Sequence, residues 1–261
     1  MGSDKARRIA IGSWLFTPLD DLVELGPGGA RILAEACLAQ SRQIHYRSRH
    51  ARTYLARLKQ GAADLELFIK IYEPARGLNR LKEWVRGGRA DNVIKISRRL
   101  HQLGLDSPRL LMVGREPVSG SAMLVSVRAR GVGLPELCAQ GIAPRRKRKL
   151  IAALGALVAR LHRAGLVHGD LTPYNVLVQD GETPHFILLD HDRTRPAWRL
   201  GGRRQLRNLV QLGRFDLPGL SQTDRLRLMR SYGAGLAPGR YRAILRKTAR
   251  MLAARRAKEV R

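Results

Sequence analysis

The chain has 261 residues, 44% of them apolar, which suffices for a real core in one large domain or two small lobes. Its 49 Lys and Arg against 21 Asp and Glu give a formal net charge of +28, directing it toward polyanions: nucleic acid, phosphorylated glycans or an anionic membrane face. The two cysteines, Cys37 and Cys138, argue against a disulfide framework or zinc site and fit a reducing cytoplasm; no secretion signal and no apolar run of membrane-spanning length is visible.

Residues 1–42 read as an irregular lead-in, with Trp14, Leu15 and Phe16 docking on the main body. The glycines of "ELGPGG" (Glu24–Gly29) mark a turn, and their spacing fits neither common phosphate-binding loop. From Gln43 the pattern turns strand-like: "QIHYRSRHARTYLARL" predicts two strands joined by a basic turn, and "LELFIKIYEP" a third, ended by Pro74. Lys70 sits inside that third strand. An ammonium there needs an anionic partner, unless the strand is an edge and Lys70 faces water. The segment leaves both open. "ADNVIKISRRLHQLGLDSP" predicts a helix carrying Val93, Ile96, Leu100 and Leu103, stopped by Gly104. "RLLMVGR" and "AMLVSVRARG" predict two more strands. Residues 43–131 thus describe a small antiparallel sheet with one packed helix.

"GLPELCAQG" is a short helix or loop. "PRRKRKLIAALGALVARLHRAG" predicts a helix with an apolar stripe of Leu150, Leu154, Leu157, Val158 and Leu161, capped by Gly165. Its basic residues at 145–149 stand where the helix dipole disfavours cations, which calls for an anion or open water. "TDRLRLMRSYGAGL" predicts another helix, with Thr223 and Asp224 as N-cap residues. The last stretch carries nine Lys/Arg and one Glu from Gly239 to Arg261. Ala243, Ile244, Met251 and Leu252 give it a partial apolar face, suited either to packing on the body or to an anionic membrane surface.

The segment "LVHGDLTPYNVLVQDGETPHFILLDHDR" (Leu166–Arg193) concentrates the chemistry. "VLV" and "HFILLD" flank an Asp180-Gly181 turn and predict a hairpin with Asn175 where it begins and Asp190 where it ends. Asp170 lies in the loop before it. Phosphoryl transfer needs a carboxylate for the acceptor hydroxyl, hard oxygen ligands for Mg²⁺ and a cation on the nucleotide phosphates. Asp170, the pair Asn175 and Asp190, and Lys70 supply these in turn. His168 to Asn175 match the kinase spacing H-x-D-x-x-x-x-N, and Asp190-His191-Asp192 occupies the position of D-F-G.

At these residues the chain resembles the protein-kinase-like superfamily, and "HGDL" resembles its sugar, aminoglycoside and choline kinase branches. More closely, it is similar to the lipopolysaccharide core heptose/Kdo kinases. "FIKIY", "RRLHQLGLDSPR", "HGDLTPYNVLV", "ILLDHDRTR", "RRQLRNLVQLGR" and "SQTDRLRLMRSY" carry that resemblance across residues 43–232. It implies an α+β, bilobal fold: an antiparallel-sheet N-lobe at 43–131 and a mainly helical C-lobe at 132–261 ending in the basic helix. It also implies transfer from ATP to a hydroxyl of a lipopolysaccharide inner-core sugar, on the cytoplasmic face of the inner membrane. Asp170 would be the base, Asn175 and Asp190 the Mg²⁺ ligands, and Lys70 the phosphate-binding lysine. His168 would hold the loop, and Asp192 would either play a structural role, pairing with Arg193, or assist metal binding.

Three departures from the pattern stand out. There is no Gly-rich loop, so Arg47, Ser48 and Arg49 of "YRSRHAR" would cover the phosphates. Helix 90–103 offers Lys70 no Glu, only Asp91, with Glu83 upstream. Thr172 stands where protein kinases usually carry a Lys. The expected partner of the basic surface is a phosphorylated glycolipid in an anionic leaflet. Nucleic acid suits the charge equally but finds few aromatic residues for stacking, at 5% of the chain. Two alternatives remain: the small kinase of the tRNA-modifying complex, whose "HGDL" loop and basic character are similar, and a pseudokinase that binds a polyanion.

Overall fold

The computed structural model describes residues 8–20, 22–40, 46–48, 51–74, 88–179, 181, 183–197 and 202–259. Contacts divide the chain into two compact units: Met1–Ser97 with Pro108–Ala129, and Arg98–Ser107 with Arg130–Arg261.

The first unit is built on a seven-stranded antiparallel sheet, in the order β1-β2-β6-β7-β5-β4-β3. The strands are β1 (Ile9–Ile11), β2 (Trp14–Pro18), β3 (Tyr46–Arg47), β4 (Ala51–Gln60), β5 (Ala63–Tyr72), β6 (Leu110–Glu116) and β7 (Ser121–Val127). Helix α1 (Gly29–Gln40) covers one face, where Leu33, Ala34 and Cys37 meet Phe16, Tyr54, Leu67, Ile69, Met112, Met123 and Val125. Burial pushes the Cys37 thiol up to about 12, as expected of an inert core cysteine. On the other face, Ala90, Val93 and Ile94 of α2 (Arg89–Gln102) meet Ala51, Tyr72, Val113 and Leu124. Among the described residues of 43–131, the strands and helix follow the expected order.

The lead-in, expected to be irregular, is not. β1 and β2 extend the sheet through Phe16↔Gly114 and Thr17↔Val113, and Phe16 is fully buried. Short strands of three and five residues around a Gly-Ser turn give too few periods for alternation to be recognised. Gly114 allows the contact, because a Cβ there would overlap the Phe16 ring.

In the second unit, α4 (Pro144–Arg163) packs on α6 (Gln222–Tyr232), and its predicted apolar stripe is buried. Gly155 permits the approach, since a Cβ there would overlap the Leu228 carbonyl. "GLPELCAQG" is helical as α3 (Leu134–Gln140). Helix α5 (Arg203–Gly213) contacts the basic C-terminal helix α7 (Pro238–Glu259), which buries Ile244 and Thr248. β10 (Val176–Gln179) pairs with β11 (His185–Leu188) and with β8 (Val132–Gly133), while β9 (Leu166–Val167) pairs with β12 (Arg195–Pro196). Gly181 lies between the hairpin strands; Asp180 is outside the described residues.

The α6 cap differs from the expectation. Ser221 is the N-cap, and Asp224 is the third helical residue of a capping box, each side chain bonding the other's backbone N–H. Lys147 and Arg227 ion-pair with the buried Asp224 at 3.2 and 2.6 Å. Burial alone would raise that carboxyl, but the Ser221 bonds and Lys147 together hold it below the ordinary value. One cation of the 145–149 run therefore has a buried anion, while Arg145, Arg146, Arg148 and Lys149 are exposed.

Candidate active site

The catalytic loop leaves β9 and runs to β10. His168 is fully buried between them. Its backbone N–H donates to Asn208 Oδ1 at 3.0 Å, and its ring Nε2–H donates to the Leu189 carbonyl at 2.7 Å. That second bond joins the catalytic loop to the residue just before Asp190. Burial lowers the His168 pKa, keeping the ring neutral. Gly169 has φ 75°, and a Cβ there would overlap the Arg193 backbone, so no other residue fits without strain.

Asp170 follows, half-buried. Its carbonyl accepts from Thr172 N–H at 2.9 Å and from Asn175 Nδ2 at 2.9 Å, closing the loop on itself. The second bond fixes the Asn175 amide and leaves Oδ1 as its acceptor end. Asn175 ends a 3-10 turn (Pro173–Asn175), and its carbonyl receives Leu189 N–H at 2.9 Å. Asn175 and the start of the Asp190 turn thus abut at the open end of the hairpin. Asp190 is exposed and has φ 58°, a left-handed conformation rare for a residue with a Cβ and concentrated at functional sites.

Two buried imidazoles anchor the residues just before Asp190. His191 donates from Nε2 to the Leu188 carbonyl at 2.9 Å, and its ring lies 5.0 Å from that of His168. Burial depresses His191 to about 3, so it too is neutral. The Thr194 hydroxyl lies 3.2 Å from both His191 Nδ1 and the His168 carbonyl. Asp192 is half-buried in the 3-10 turn His191–Arg193.

The structure thus brings His168, Asp170, Asn175, Asp190 and Asp192 together within the second unit. Lys70 belongs to the first. There β5 lies between β4 and β7, with Lys70 registered against Thr53 and Leu124. Lys70 is therefore half-buried on a central strand, and the edge-strand reading is corrected. Its Nζ stands 5.4 Å from the Tyr72 ring centroid, a cation–π contact. Asp91 caps the start of α2 through Gly88 N–H and pairs with Arg115. Ser48 Oγ accepts from Ala51 N–H at 3.1 Å, closing the β3–β4 turn beside the exposed Arg47. Arg49 and Glu83 lie outside the described residues.

Four residues of this site were not singled out by the sequence: His162, Asn208, Gln211 and Tyr232. Asn208 Oδ1 receives His168 N–H and His162 Nε2–H, and its Nδ2 donates to Gln211 Oε1 at 3.2 Å. Gln211 Oε1 receives Leu171 N–H at 3.3 Å, and its Nε2 donates to Asp170 Oδ1 at 3.2 Å. Tyr232 OH lies 2.9 Å from His162 Nδ1. The available signal was a pair of amides three residues apart on the buried face of α5, among Leu206, Leu209, Val210 and Leu212.

The sequence profile of the lipopolysaccharide kinase (Kdo/WaaP) family matches residues 83–232, more than half of the chain. The protein belongs to the lipopolysaccharide kinase (Kdo/WaaP) family. As a member of this kinase family it is a phosphotransferase, and the family implies ATP as donor. The chain is 31% identical over 188 residues to a 3-deoxy-D-manno-octulosonic acid kinase of Stenotrophomonas maltophilia, covering 60% of this chain and 71% of that one. It is 36% identical over 119 residues to the EKC/KEOPS complex subunit BUD32 of Encephalitozoon cuniculi, covering 44% and 55%. The fold is similar to that of WaaP in a complex with acyl carrier protein, with a TM-score of 0.64, 24% identity, and coverage of 86% and 91%. Family membership accounts for the mixed helix and antiparallel-sheet architecture, a bilobal kinase-like fold. Among the described residues, no helix is long and apolar enough to cross a membrane.

The donor set suits Mg²⁺. Asn175 Oδ1 and the Asp190 carboxylate are hard oxygen donors, few in number, as would suit a metal shared with nucleotide phosphates. Among the described residues no cluster of three His, Cys, Asp or Glu competes as an all-protein metal cage.

Proposed function

We propose that this family member transfers the terminal phosphoryl group of ATP to a hydroxyl of a lipopolysaccharide inner-core sugar, heptose or Kdo. Similarity to the 3-deoxy-D-manno-octulosonic acid kinase favours Kdo. The observation that carries the reading is the closed loop in which Asp170 is fixed at both its carbonyl and its carboxylate. Asp170 orients the acceptor hydroxyl and takes its proton. Asn175 and Asp190 would hold Mg²⁺, which when bound neutralises charge on the nucleotide phosphates. Lys70 would bind those phosphates, and Arg47, Ser48 and Arg49 would cover them. Ser48, with its hydroxyl engaged at Ala51, contributes backbone rather than side chain. Asp192 shapes the metal loop.

The reaction takes place with the protein peripheral on the cytoplasmic face of the inner membrane, where a phosphorylated glycolipid matches the basic surface. α7 directs Ile244 and Thr248 into the body, so contact with the leaflet is electrostatic rather than inserted. A second reading, a small kinase acting with a protein or RNA partner, draws on the likeness to BUD32.

The test is phosphate transfer from labelled ATP to purified inner-core glycolipid, with and without Mg²⁺, by the wild-type protein and Asp170→Ala. Mg²⁺-dependent labelling should fall by about three orders of magnitude in the variant. Equal labelling by both proteins overturns the role of Asp170. Turnover stimulated only by RNA or protein favours the second reading.

A further inference from the structure

We infer that Gln211 is a positioning residue for the catalytic base, and that a one-way chain of hydrogen bonds from the helical core fixes its orientation. This rests on Asp170 being the base.

The polarity of the chain follows from valence. His162 is buried, and burial lowers its pKa to about 4, so it carries one ring proton near neutrality. His168 N–H already occupies Asn208 Oδ1 as a donor, which identifies that atom as the amide oxygen. His162 must then donate from Nε2 to Asn208 Oδ1, and its Nδ1 accepts from Tyr232 O–H. Asn208 Nδ2 donates onward to Gln211 Oε1, which also receives Leu171 N–H. The only end of Gln211 left to face the carboxylate is its NH₂ group. One of its protons reaches Asp170 Oδ1 at 3.2 Å, and the Gly169 carbonyl lies 3.3 Å from the same nitrogen.

Every link from Tyr232 through His162, Asn208 and Gln211 donates toward Asp170. Aligned bonds of this kind polarise one another. The chain therefore presents an N–H donor to Asp170 Oδ1. It also pins the loop backbone at His168, Gly169 and Leu171, holding one carboxylate rotamer. Gln211 moves no proton. It holds Asp170 Oδ1 and so sets the carboxylate rotamer that the acceptor hydroxyl meets.

The experiment is the steady-state rate of phosphate transfer from ATP to purified inner-core glycolipid, resolved into kcat and KM at neutral pH for four full-length proteins: wild type, Gln211→Glu, Gln211→Met and Asp170→Asn. Gln211→Glu keeps an acceptor for Leu171 N–H and Asn208 Nδ2, so the loop remains held, but it has no N–H to give Asp170. Its kcat should fall at least about tenfold, with KM for ATP and for glycolipid unchanged. Gln211→Met should lower kcat in the same way. Asp170→Asn should lack the activity.

If Asp170→Asn is inactive but both Gln211 variants keep the wild-type kcat, the positioning role falls while the base assignment stands. A fall in kcat accompanied by a comparable rise in both KM values reduces Gln211 to a structural contact and likewise overturns the role. If Asp170→Asn retains the wild-type rate, the base assignment falls and the inference with it. Thermal melting of Gln211→Glu within a few degrees of wild type excludes misfolding as the cause of a lower kcat.

Discussion

The two units differ in the polar groups they bury. In the sheet unit, acids hold arginines at the surface: Arg57 with Asp64, Arg109 with Asp20 and Glu24, Arg128 with Glu66. Such exposed pairs are screened and contribute little. The helical unit has surface pairs too, Asp216 with Arg225 and Arg256, but it also buries polar groups, mostly neutral, that converge on one loop. His162, His168, His191, Thr194 and Asn208 are all buried and within hydrogen-bonding distance of one another or of the loop backbone. A low-dielectric network is costly to leave half-satisfied, so it specifies one loop geometry. The buried polarity sets where the Asp170 carboxylate stands.

Acid should break the second arrangement and spare the first. His162 and His191 titrate near 4 and 3 when folded, against about 6.5 unfolded. Below pH 6.5 the unfolded chain takes up protons that the folded one refuses. Stability contributed by these rings is therefore full above pH 6.5 and lost as pH falls toward their folded values. At pH 5 each ring should cost about 2 kcal/mol, read by denaturant melts at pH 7 and 5. Hydrogen exchange should show α4 and α5 opening more than β4–β5. Next in size, Asn208→Leu orphans His168 N–H and the His162 ring, and should destabilise the protein by about 3 kcal/mol in a thermal melt. The smallest effect belongs to Arg57→Ala, which should leave the melting temperature at the wild-type value. A large shift there would mean that the surface pairs do structural work this comparison denies them.

The strand and helix order of residues 43–131 was legible because its elements are long and periodic, from Ala51–Gln60 to Arg89–Gln102. The H-x-D-x-x-x-x-N loop and Asp190 were legible because their spacing is local. The strands in 1–42 were not, since β1 and β2 gain their stability from pairing with each other and with β6, far away in sequence. The central position of Lys70 was equally hidden, as β7 reaches β5 only after 50 intervening residues or so. Asn208 and Gln211 escaped because an amide on a helix reads as surface until the neighbouring loop shows what it faces.

The central claim is that Asp170 serves transfer of phosphate to an inner-core sugar. The most direct measurement is mass spectrometry of glycolipid from cells carrying the wild-type protein or Asp170→Ala. The account predicts one phosphate more on the core with the wild-type protein and none with the variant. Identical core masses from the two strains would contradict it.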